Sequence, residues 1–297
     1  MFEFLAVAAM TLAGQQADSR TPLLEPGVIP QRWTPERPDC AGVPPFLVHE
    51  YNPTFIILRQ SGCTNFEKPF LYLILGTKQA MLVDTGAKGA DVSGVVSEVL
   101  RRHAKEQQRP ELPLLVVHSH GHSDHVAGDA AFRGKPGVQL VDGTPEAVSR
   151  FFGLTAWPRG VAQHDLGDRV LDVIPIPGHE AASIAIYDRR TGILLTGDTV
   201  YPGRLYVRDE AAFRESIDRL VEFTAAHEIA HALGAHIENT RTPFADYPEG
   251  TTFQPDEHVL ELGRAHLLEL QSTLRTMSGA IERRRLRDLT IWPVARK

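Results

Sequence analysis

The sequence predicts an α/β protein built as a four-layer αββα sandwich, with layers of helix, sheet, sheet and helix. Three observations carry this prediction. A chain of 297 residues, 42% of them hydrophobic, can bury a sizeable core. Short apolar runs bounded by glycine and polar turns alternate with segments of helical spacing, in two comparable halves. No internal repeat is present in the sequence, so two strand-rich halves that each carry helices suit a layered sandwich.

The first half predicts strands on both sides of one helix. The helix is expected over residues 91–108, where apolar side chains recur at helical spacing. Short β-rich runs predict the strands at residues 55–58, 70–75, 80–83 and 114–117.

The second half repeats this mixture of elements. Helical patterns are expected near residues 145–152, 209–226 and 255–278. The last of these would cover a sheet or form a dimer contact, and covering the sheet is the simpler use. Strand candidates lie at residues 138–141, 169–176, 183–188, 193–197, 230–233 and 289–292.

The N-terminal part of the chain differs in composition from the rest. Residues 1–20 predict a signal peptide or an N-terminal helix, in an apolar stretch too short to span a bilayer. Residues 21–48 are rich in proline and predict an extended lead-in, and residues 49–297 a single domain with a C-terminal helix. A signal peptide would place the protein in the periplasm or outside the cell, where Cys40 and Cys63 could form a disulfide; otherwise a cytoplasmic protein with two free thiols is expected.

The charge balance limits the classes of partner. The chain has 31 Lys and Arg against 37 Asp and Glu, a net charge of −6. This balance predicts no nucleic-acid partner, and no stable association with a membrane is expected. A small-molecule substrate is expected instead, with either a monomer or a homodimer as the assembly.

A dense group of metal-binding side chains follows the strand predicted at residues 114–117. The spacing His120-x-His122-x-Asp124-His125 lets several side chains face one point from a single loop. Neutral imidazole and carboxylate both suit Zn²⁺. His118-x-His120 also has ligand spacing, but no Asp-His pair stands two and three residues after His120, so His118 is interpreted as a packing residue at the strand end.

Further ligand-type side chains stand beside glycine where later strands end. They are His179 after Gly178, Asp198 after Gly197, and His236 two residues after Gly234. One loop rarely fills two metal sites, so these strand ends are expected to supply the remaining ligands.

These motifs, in this order from about residue 55 to residue 236, resemble those of the metallo-β-lactamase superfamily. The motif Leu82-Val83-Asp84-Thr85-Gly86 resembles the first of the family, and His120 to His125 the second. The resemblance implies that His120, His122 and His179 hold one metal, that Asp124, His125 and His236 hold the other, and that Asp198 bridges them. Asp84 would orient a ligand loop without touching metal.

A two-metal site of this kind predicts a hydrolase. Two divalent ions, Zn²⁺ first with Fe or Mn as alternatives, would provide a bridging hydroxide that attacks the carbonyl of a small ester, thioester, lactone or β-lactam. Asp124 would ligate and orient this hydroxide. The bridging Asp198 resembles glyoxalase II-like thioesterases and lactonases more than zinc β-lactamases with cysteine at this position.

Two other functions remain open from the sequence. One is an oxygenase with a single iron, resembling persulfide dioxygenases, and the other is a binding homologue without catalysis. The former predicts one bound iron and oxygen uptake with thiols, and the latter predicts missing ligands.

Substrate choice is expected to depend on two loops, residues 201–206 and 238–254. Tyr201 and Tyr206 are candidate catalytic residues that would donate a hydrogen bond to a developing oxyanion. Arg204 would bind a substrate carboxylate or pair with a nearby acid. In the second loop, aromatic side chains would form a lid over the substrate or only fix the loop itself; they are Phe244, Tyr247 and Phe253.

Overall fold

The computed structural model describes residues 23–34 and 37–294. The signal peptide or helix predicted at residues 1–20 lies outside these residues. Among the described helices, none is both long enough and apolar enough to cross a bilayer.

The first sheet has six strands that follow one another in chain order. Neighbours from β1 to β4 pair antiparallel, and β4, β5 and β6 pair parallel. The strands are β1 (Phe46–Asn52), β2 (Phe55–Gln60), β3 (Phe70–Leu75), β4 (Ala80–Val83), β5 (Leu114–Val117) and β6 (Val138–Leu140).

The second sheet also has six strands, in the order β13-β12-β10-β9-β8-β7, and a small third sheet has the order β11-β15-β14. The strands of the second sheet are β7 (Ala162–Asp165), β8 (Val170–Pro175), β9 (Ile184–Asp188), β10 (Ile193–Gly197), β12 (His231–Gly234) and β13 (Glu261–Leu262). Those of the third are β11 (Arg204–Val207), β14 (Arg284–Arg285) and β15 (Thr290–Pro293).

Five α-helices and one 3₁₀ turn complete the described fold. The helices are α1 (Val92–Glu106), α2 (Ser123–Val126), α3 (Pro145–Phe152), α4 (Glu210–Ala226) and α5 (Arg264–Thr276), and the 3₁₀ turn covers Asp129–Ala131. Asp91, Thr144 and Asp209 begin α1, α3 and α4, because each side chain accepts a hydrogen bond from a backbone N–H of the first turn.

The alternation of side chains along the strands creates the four layers. In β2, Phe55 and Ile57 join the core between the two large sheets, whereas Ile56 and Leu58 face the core under α1. Successive side chains of a strand point to opposite faces of its sheet, so one apolar run can supply two cores. A third core packs α4 and α5 on the outer face of the second sheet. This is the predicted αββα sandwich.

The C-terminal helix is shorter than its sequence pattern predicts. The predicted helix covers residues 255–278, but α5 begins only at Arg264. Gly263 precedes it, and its backbone N–H donates to His266 Nδ1 (3.0 Å), which fixes the start of the helix. Before it, Glu261 and Leu262 form β13, and Glu257 is buried in an ion pair with Arg59 (2.6 Å).

The lead-in packs tightly on the body of the protein. Trp33 is buried between the sheets, and its ring meets Phe70 edge to face at 5.0 Å between centroids. A disulfide joins Cys40 to Cys63, with 5.7 Å between their Cα atoms, so the pair left open by the sequence is bonded. Strand β1 starts at Phe46, three residues before the predicted start of the domain.

Candidate metal centre

Strand ends from both large sheets meet at one edge of the sandwich. Asp84 follows β4, the segment His118–His125 follows β5, and His179, Asp198 and His236 follow β8, β10 and β12. Strands β8 and β10 both pair antiparallel with β9, and β12 pairs parallel with β10, so the carboxyl ends of these three strands lie at one edge. The topology therefore brings together side chains that are more than a hundred residues apart in the sequence.

Two glycines allow the ligand loops to approach closely. Gly178 has φ +138°, and a Cβ there would lie 2.5 Å from the Phe213 Cα. Gly197 has φ +50°, and a Cβ there would lie 2.8 Å from the Ser119 Cβ. A side chain at either position would combine an unfavourable backbone conformation with a steric clash. Both glycines immediately precede predicted ligands.

The first group of predicted ligands is three imidazoles. His122 Nδ1 lies 2.9 Å from His120 Nε2 and 3.0 Å from His179 Nε2. Because one ring nitrogen carries at most one proton, these contacts cannot both be good hydrogen bonds. Ligand nitrogens around tetrahedral zinc, at bond lengths of about 2.0–2.1 Å, would be about 3.3 Å apart. The three nitrogens therefore converge as lone pairs around a shared cation would.

The second group combines two imidazoles and two carboxylates. His125 Nε2 lies 3.2 Å from Asp124 Oδ2 and 3.5 Å from Asp198 Oδ1. His236 Nε2 lies 3.3 Å from each of the same two oxygens. His125 Nε2 and Asp198 Oδ1 are buried and have no hydrogen-bond partner among the described residues. These separations and orphaned atoms fit a divalent cation.

Asp198 faces both groups. Its Oδ1 belongs to the second group, while its Oδ2 lies 3.5 Å from His179 Nε2 and 3.8 Å from His120 Nε2. One carboxylate thus presents an oxygen to each set of imidazoles. This is the geometry expected of a bridging ligand.

Neighbouring groups fix the orientation of the imidazoles. Asp84 is buried, and its carboxylate accepts hydrogen bonds from the backbone N–H (2.7 Å) and hydroxyl (2.8 Å) of Ser119 and from His125 Nδ1 (2.9 Å). His179 Nδ1 donates to the Tyr206 carbonyl (3.0 Å), and His236 Nδ1 donates to a backbone carbonyl, that of Glu67 (2.9 Å). Each contact leaves Nε2 free to face the cluster.

Burial keeps the imidazoles of the first group neutral. It lowers the pKa of His120 and of His122, and it lowers the pKa of His179 to about 4. A neutral imidazole offers the lone pair that a metal requires. The first group is therefore ready to bind a cation at neutral pH.

The carboxylates have the opposite effect on the second group. Burial alone would lower the pKa of His236, but Asp198 and Asp124 outweigh it and raise this pKa to about 9. Burial likewise opposes ionisation of Asp198, yet the adjacent His236 and His125 hold its pKa well below the usual range. The second group thus concentrates negative charge that either protons on imidazole or a divalent cation can balance.

A cavity of about 270 Å³ opens beside His236, and we call it the metal-site cavity. Its lining carries both signs of charge: Lys68 and Arg208 are basic, and Glu67 and Glu238 are acidic. The sequence analysis did not identify Lys68, Glu67 and Arg208 as residues of this cavity. Glu67 and Lys68 lie just before β3 and Arg208 lies just after β11, outside any motif, so only the tertiary structure identifies them.

The two predicted catalytic tyrosines lie in different surroundings. Tyr201 is fully buried, and its hydroxyl is bound to the Arg204 carbonyl and lies 3.2 Å from Glu238 Oε2. The structure therefore does not support the expected oxyanion role of Tyr201, because its one proton is already used inside the protein. Tyr206 lines the metal-site cavity, and its hydroxyl accepts from Arg204 Nε (3.0 Å), which leaves its own proton available.

Arg204 pairs with acids of the protein. It lies 2.9 Å from Glu238 Oε1 and 2.7 Å from Asp246 Oδ2, and its Nη1 also donates to the Tyr247 carbonyl (2.8 Å). Of the two roles left open by the sequence, pairing with a nearby acid is the one observed.

The aromatic residues predicted as a lid do not line the metal-site cavity. Phe244 is half exposed, Tyr247 accepts a hydrogen bond from the Asp256 N–H (2.8 Å), and Phe253 lines a different cavity. Other residues of the loop 238–254 line this cavity, among them Glu238, Pro248 and Thr251. His118 is buried outside both ligand groups, 3.3 Å from Asp129 Oδ1, as expected for a packing residue.

Curated relatives match only part of the chain. A hydroxyacylglutathione hydrolase of Chelativorans sp. (strain BNC1) is 33% identical over 116 residues, a match that covers 37% of this chain and 44% of that protein. An acyl-coenzyme A thioesterase, MBLAC2 of Bos taurus, is 30% identical over 168 residues, covering 46% and 59%. The chain thus spans about half the length of these relatives.

Solved structures share the fold at low sequence identity. A metallo-beta-lactamase from Pontibacter korlensis superposes with a TM-score of 0.51 at 16% identity, over 78% of this chain and all of that chain. TMB-1 superposes with a TM-score of 0.52 at 14% identity, over 80% of this chain and all of that chain. A model of the metallo-beta-lactamase superfamily matches residues 66–228, more than half of the sequence. With these motifs and this fold, the chain belongs to the metallo-beta-lactamase superfamily.

Proposed function

We propose that this protein is a metal-dependent hydrolase that cleaves a small ester, thioester, lactone or β-lactam. The observation that carries the proposal is the shared carboxylate of Asp198, with one oxygen turned to each of two ligand groups. Three imidazoles form one group, and two imidazoles with Asp124 form the other. Such a donor set suits two ions of the zinc type, with iron or manganese as alternatives.

Bound divalent ions supply a hydroxide near neutral pH and polarise the substrate carbonyl. The protein positions the ligands before the substrate arrives, because Asp84 and the carbonyls of Glu67 and Tyr206 fix three imidazoles. Asp124 is the more accessible of the two carboxylates, with 18% of its side chain exposed against 9% for Asp198. Asp124 is therefore the carboxylate placed to orient the attacking hydroxide.

Tyr206 is the side chain placed to assist the developing charge. Arg204 donates to its hydroxyl oxygen and so orients the hydroxyl, whose proton can be donated to an anionic oxygen. The metal-site cavity of about 270 Å³ admits only a small reacting group. A larger substrate would leave its remaining part in solvent.

The activities named for the relatives support a thioester or ester over an amide. The two relatives compared above are named as a hydroxyacylglutathione hydrolase and an acyl-coenzyme A thioesterase. A thioester carbonyl is also a better electrophile than an amide carbonyl. We therefore place thioesters first among the candidate substrates.

The bonded pair Cys40 and Cys63 supports a location outside the cytoplasm. Structural disulfides persist in oxidising compartments and are rare where thiols are kept reduced. We propose a periplasmic or secreted protein on this basis. This location can be tested by isolating the protein from each cell fraction and counting its reactive thiols before and after reduction.

A substrate panel with matched variants tests the proposed activity. The purified protein is assayed against thioester, lactone and β-lactam substrates, before and after removal of metal by a chelator. Asp124→Asn is expected to lower kcat/KM by on the order of 10²-fold or more on the preferred substrate, because the attacking hydroxide is no longer oriented. Asp142→Asn, which changes an exposed carboxylate paired with Arg133, is the control and should retain activity.

Two outcomes would reject the proposal. One is an Asp124→Asn variant that turns over at nearly the rate of the unmodified protein. The other is an absence of hydrolysis with every substrate of the panel, in protein that carries metal and is folded.

A further inference from the structure

A second cavity lies where the lead-in packs on the first sheet. It has a volume of about 220 Å³ and is bounded by the lead-in, by the Cys40–Cys63 disulfide and by Thr252 and Phe253 of the loop before β13. We call it the lead-in cavity. Lys68 is the one residue that it shares with the metal-site cavity, among the residues described. The two cavities are therefore separate, and Lys68 lies between them.

Positive charge dominates the lining of the lead-in cavity. Four basic side chains line it: Arg32, Arg37, Arg59 and Lys68. Within the described parts of the chain, no acidic side chain lines it. An anion is the ligand that this distribution of charge favours.

The nearest buried acid is already saturated. Glu257 accepts a hydrogen bond from Arg59 Nη1 at 2.6 Å through one carboxylate oxygen. Its other oxygen accepts from the backbone N–H groups of Trp33 (2.8 Å) and Thr34 (2.6 Å). Glu257 thus balances one guanidinium and leaves the other cations of the cavity without a counter-charge from this carboxylate.

The rest of the lining is apolar. It comprises Val43, Pro44, Leu47 and Phe253, together with the Trp33 ring. A fully hydrated inorganic ion would leave these surfaces unused, whereas an acid with a hydrocarbon or aromatic body would cover them.

We propose that the lead-in cavity is a binding site for a small organic carboxylate with an apolar body. The carboxylate pairs with the exposed arginines of the lining, Arg32 and Arg37, and the body packs on the apolar walls. This site is distinct from the metal centre, so the proposal does not depend on the proposed hydrolase activity.

The test uses 4-phenylbutyrate as the probe and 4-phenylbutyramide as its uncharged counterpart. Each is titrated into the full-length, metal-loaded protein by calorimetry. We expect one site per chain with a Kd below about 1 mM for the acid, and binding at least tenfold weaker for the amide. Equal affinity for acid and amide, or no binding of the acid, would overturn the proposal.

Variants separate the lead-in cavity from the metal centre, where a carboxylate could also bind. Val43→Trp fills the lead-in cavity without removing a charge and should abolish binding of the acid. Arg32→Gln changes an exposed cation at its edge, so folding is preserved, and should weaken binding several-fold. The control Arg101→Gln alters an exposed arginine of α1 and should have no effect.

The Asp124→Asn variant tests whether the acid binds at the metal centre instead. It should leave binding of 4-phenylbutyrate in the lead-in cavity unchanged. If this variant abolishes binding while Arg32→Gln and a folded Val43→Trp retain it, the acid binds at the metal centre and the proposed site is wrong. Melting temperatures of all variants identify any that fail to fold.

Discussion

The Asp84→Asn substitution probes how the protein positions its ligands. Three hydrogen bonds end on the Asp84 carboxylate: two from Ser119 and one from His125 Nδ1, all between 2.7 and 2.9 Å. An asparagine keeps one acceptor oxygen but places an amide NH₂ where the other oxygen accepted. The amide NH₂ then faces the donors of the Ser119 hydroxyl and His125 Nδ1. Solvent cannot relieve this conflict, because residue 84 is only 1% exposed.

The magnitude follows from these contacts. Each buried donor left without an acceptor costs about 1–3 kcal/mol, so the loss of two acceptor contacts should lower the free energy of unfolding by about 2–6 kcal/mol. Release of His125 from its fixed orientation should also weaken the second cation by about 10- to 100-fold. This factor corresponds to about 1.4–2.7 kcal/mol of binding free energy.

Competition with a chromophoric chelator measures both metal affinities, and denaturant unfolding of the metal-free protein measures stability. Asp129→Asn is the matched control, because Asp129 binds Thr85 Oγ1 (2.8 Å) in the same region and is outside both ligand groups. If Asp84→Asn lowers stability but leaves both metal affinities unchanged, Asp84 only fastens the loop and the positioning argument is refuted.

Three further predictions concern stability and catalysis. Burial lowers the pKa of Lys68 from its model-compound value of 10.5 to about 8. Between these two pH values the unfolded chain therefore binds more protons than the folded protein, so the free energy of unfolding should rise by about 3 kcal/mol from pH 8 to pH 10.5. Denaturant titrations of Lys68→Met should not show this rise. The control Lys78→Met, at an exposed site, should show it. Replacing both Cys40 and Cys63 by serine should cost about 3 kcal/mol in the same assay, because the bond closes a loop with a sequence separation of 23 residues; an unchanged midpoint would contradict this. Tyr206→Phe should lower kcat by about tenfold or more with little change in KM, and a loss confined to KM would exclude its role at the oxyanion.

Much of the fold could be predicted because apolar runs and turn residues mark the strands of both large sheets. The strands β1 and β11 contain apolar residues but lie in segments that the sequence analysis interpreted mainly as a lead-in and a loop. Two other missed strands lack such runs. Strand β7, Ala-Gln-His-Asp, contains one apolar residue, and β13 has only two residues, so neither carries a periodic signal. The overlong C-terminal helix has a different cause, since the ion pair of Glu257 with Arg59 and the pairing of β13 override local helical spacing.

The candidate site, too, could be predicted only in part from the sequence. Its ligand-type side chains could be predicted because each is coupled to a local motif at a strand end. The partners of Tyr201 could not, because its hydroxyl meets Glu238, which is 37 residues away, only in the folded chain. The same holds for Trp33 and Arg59, which come together in the lining of the lead-in cavity only in the folded chain. Sequence patterns predict where ligands stand but not which hydrogen bonds remain unsatisfied.

The metal content of the purified chain tests the central claim most directly. Elemental analysis of protein prepared without chelator should find two divalent ions per chain, with one lost in His122→Gln and one lost in His236→Gln, while His164→Gln, outside both ligand groups, retains two. A single iron per chain that His236→Gln does not displace, together with oxygen uptake on thiol substrates and no hydrolysis, would contradict the two-metal hydrolase.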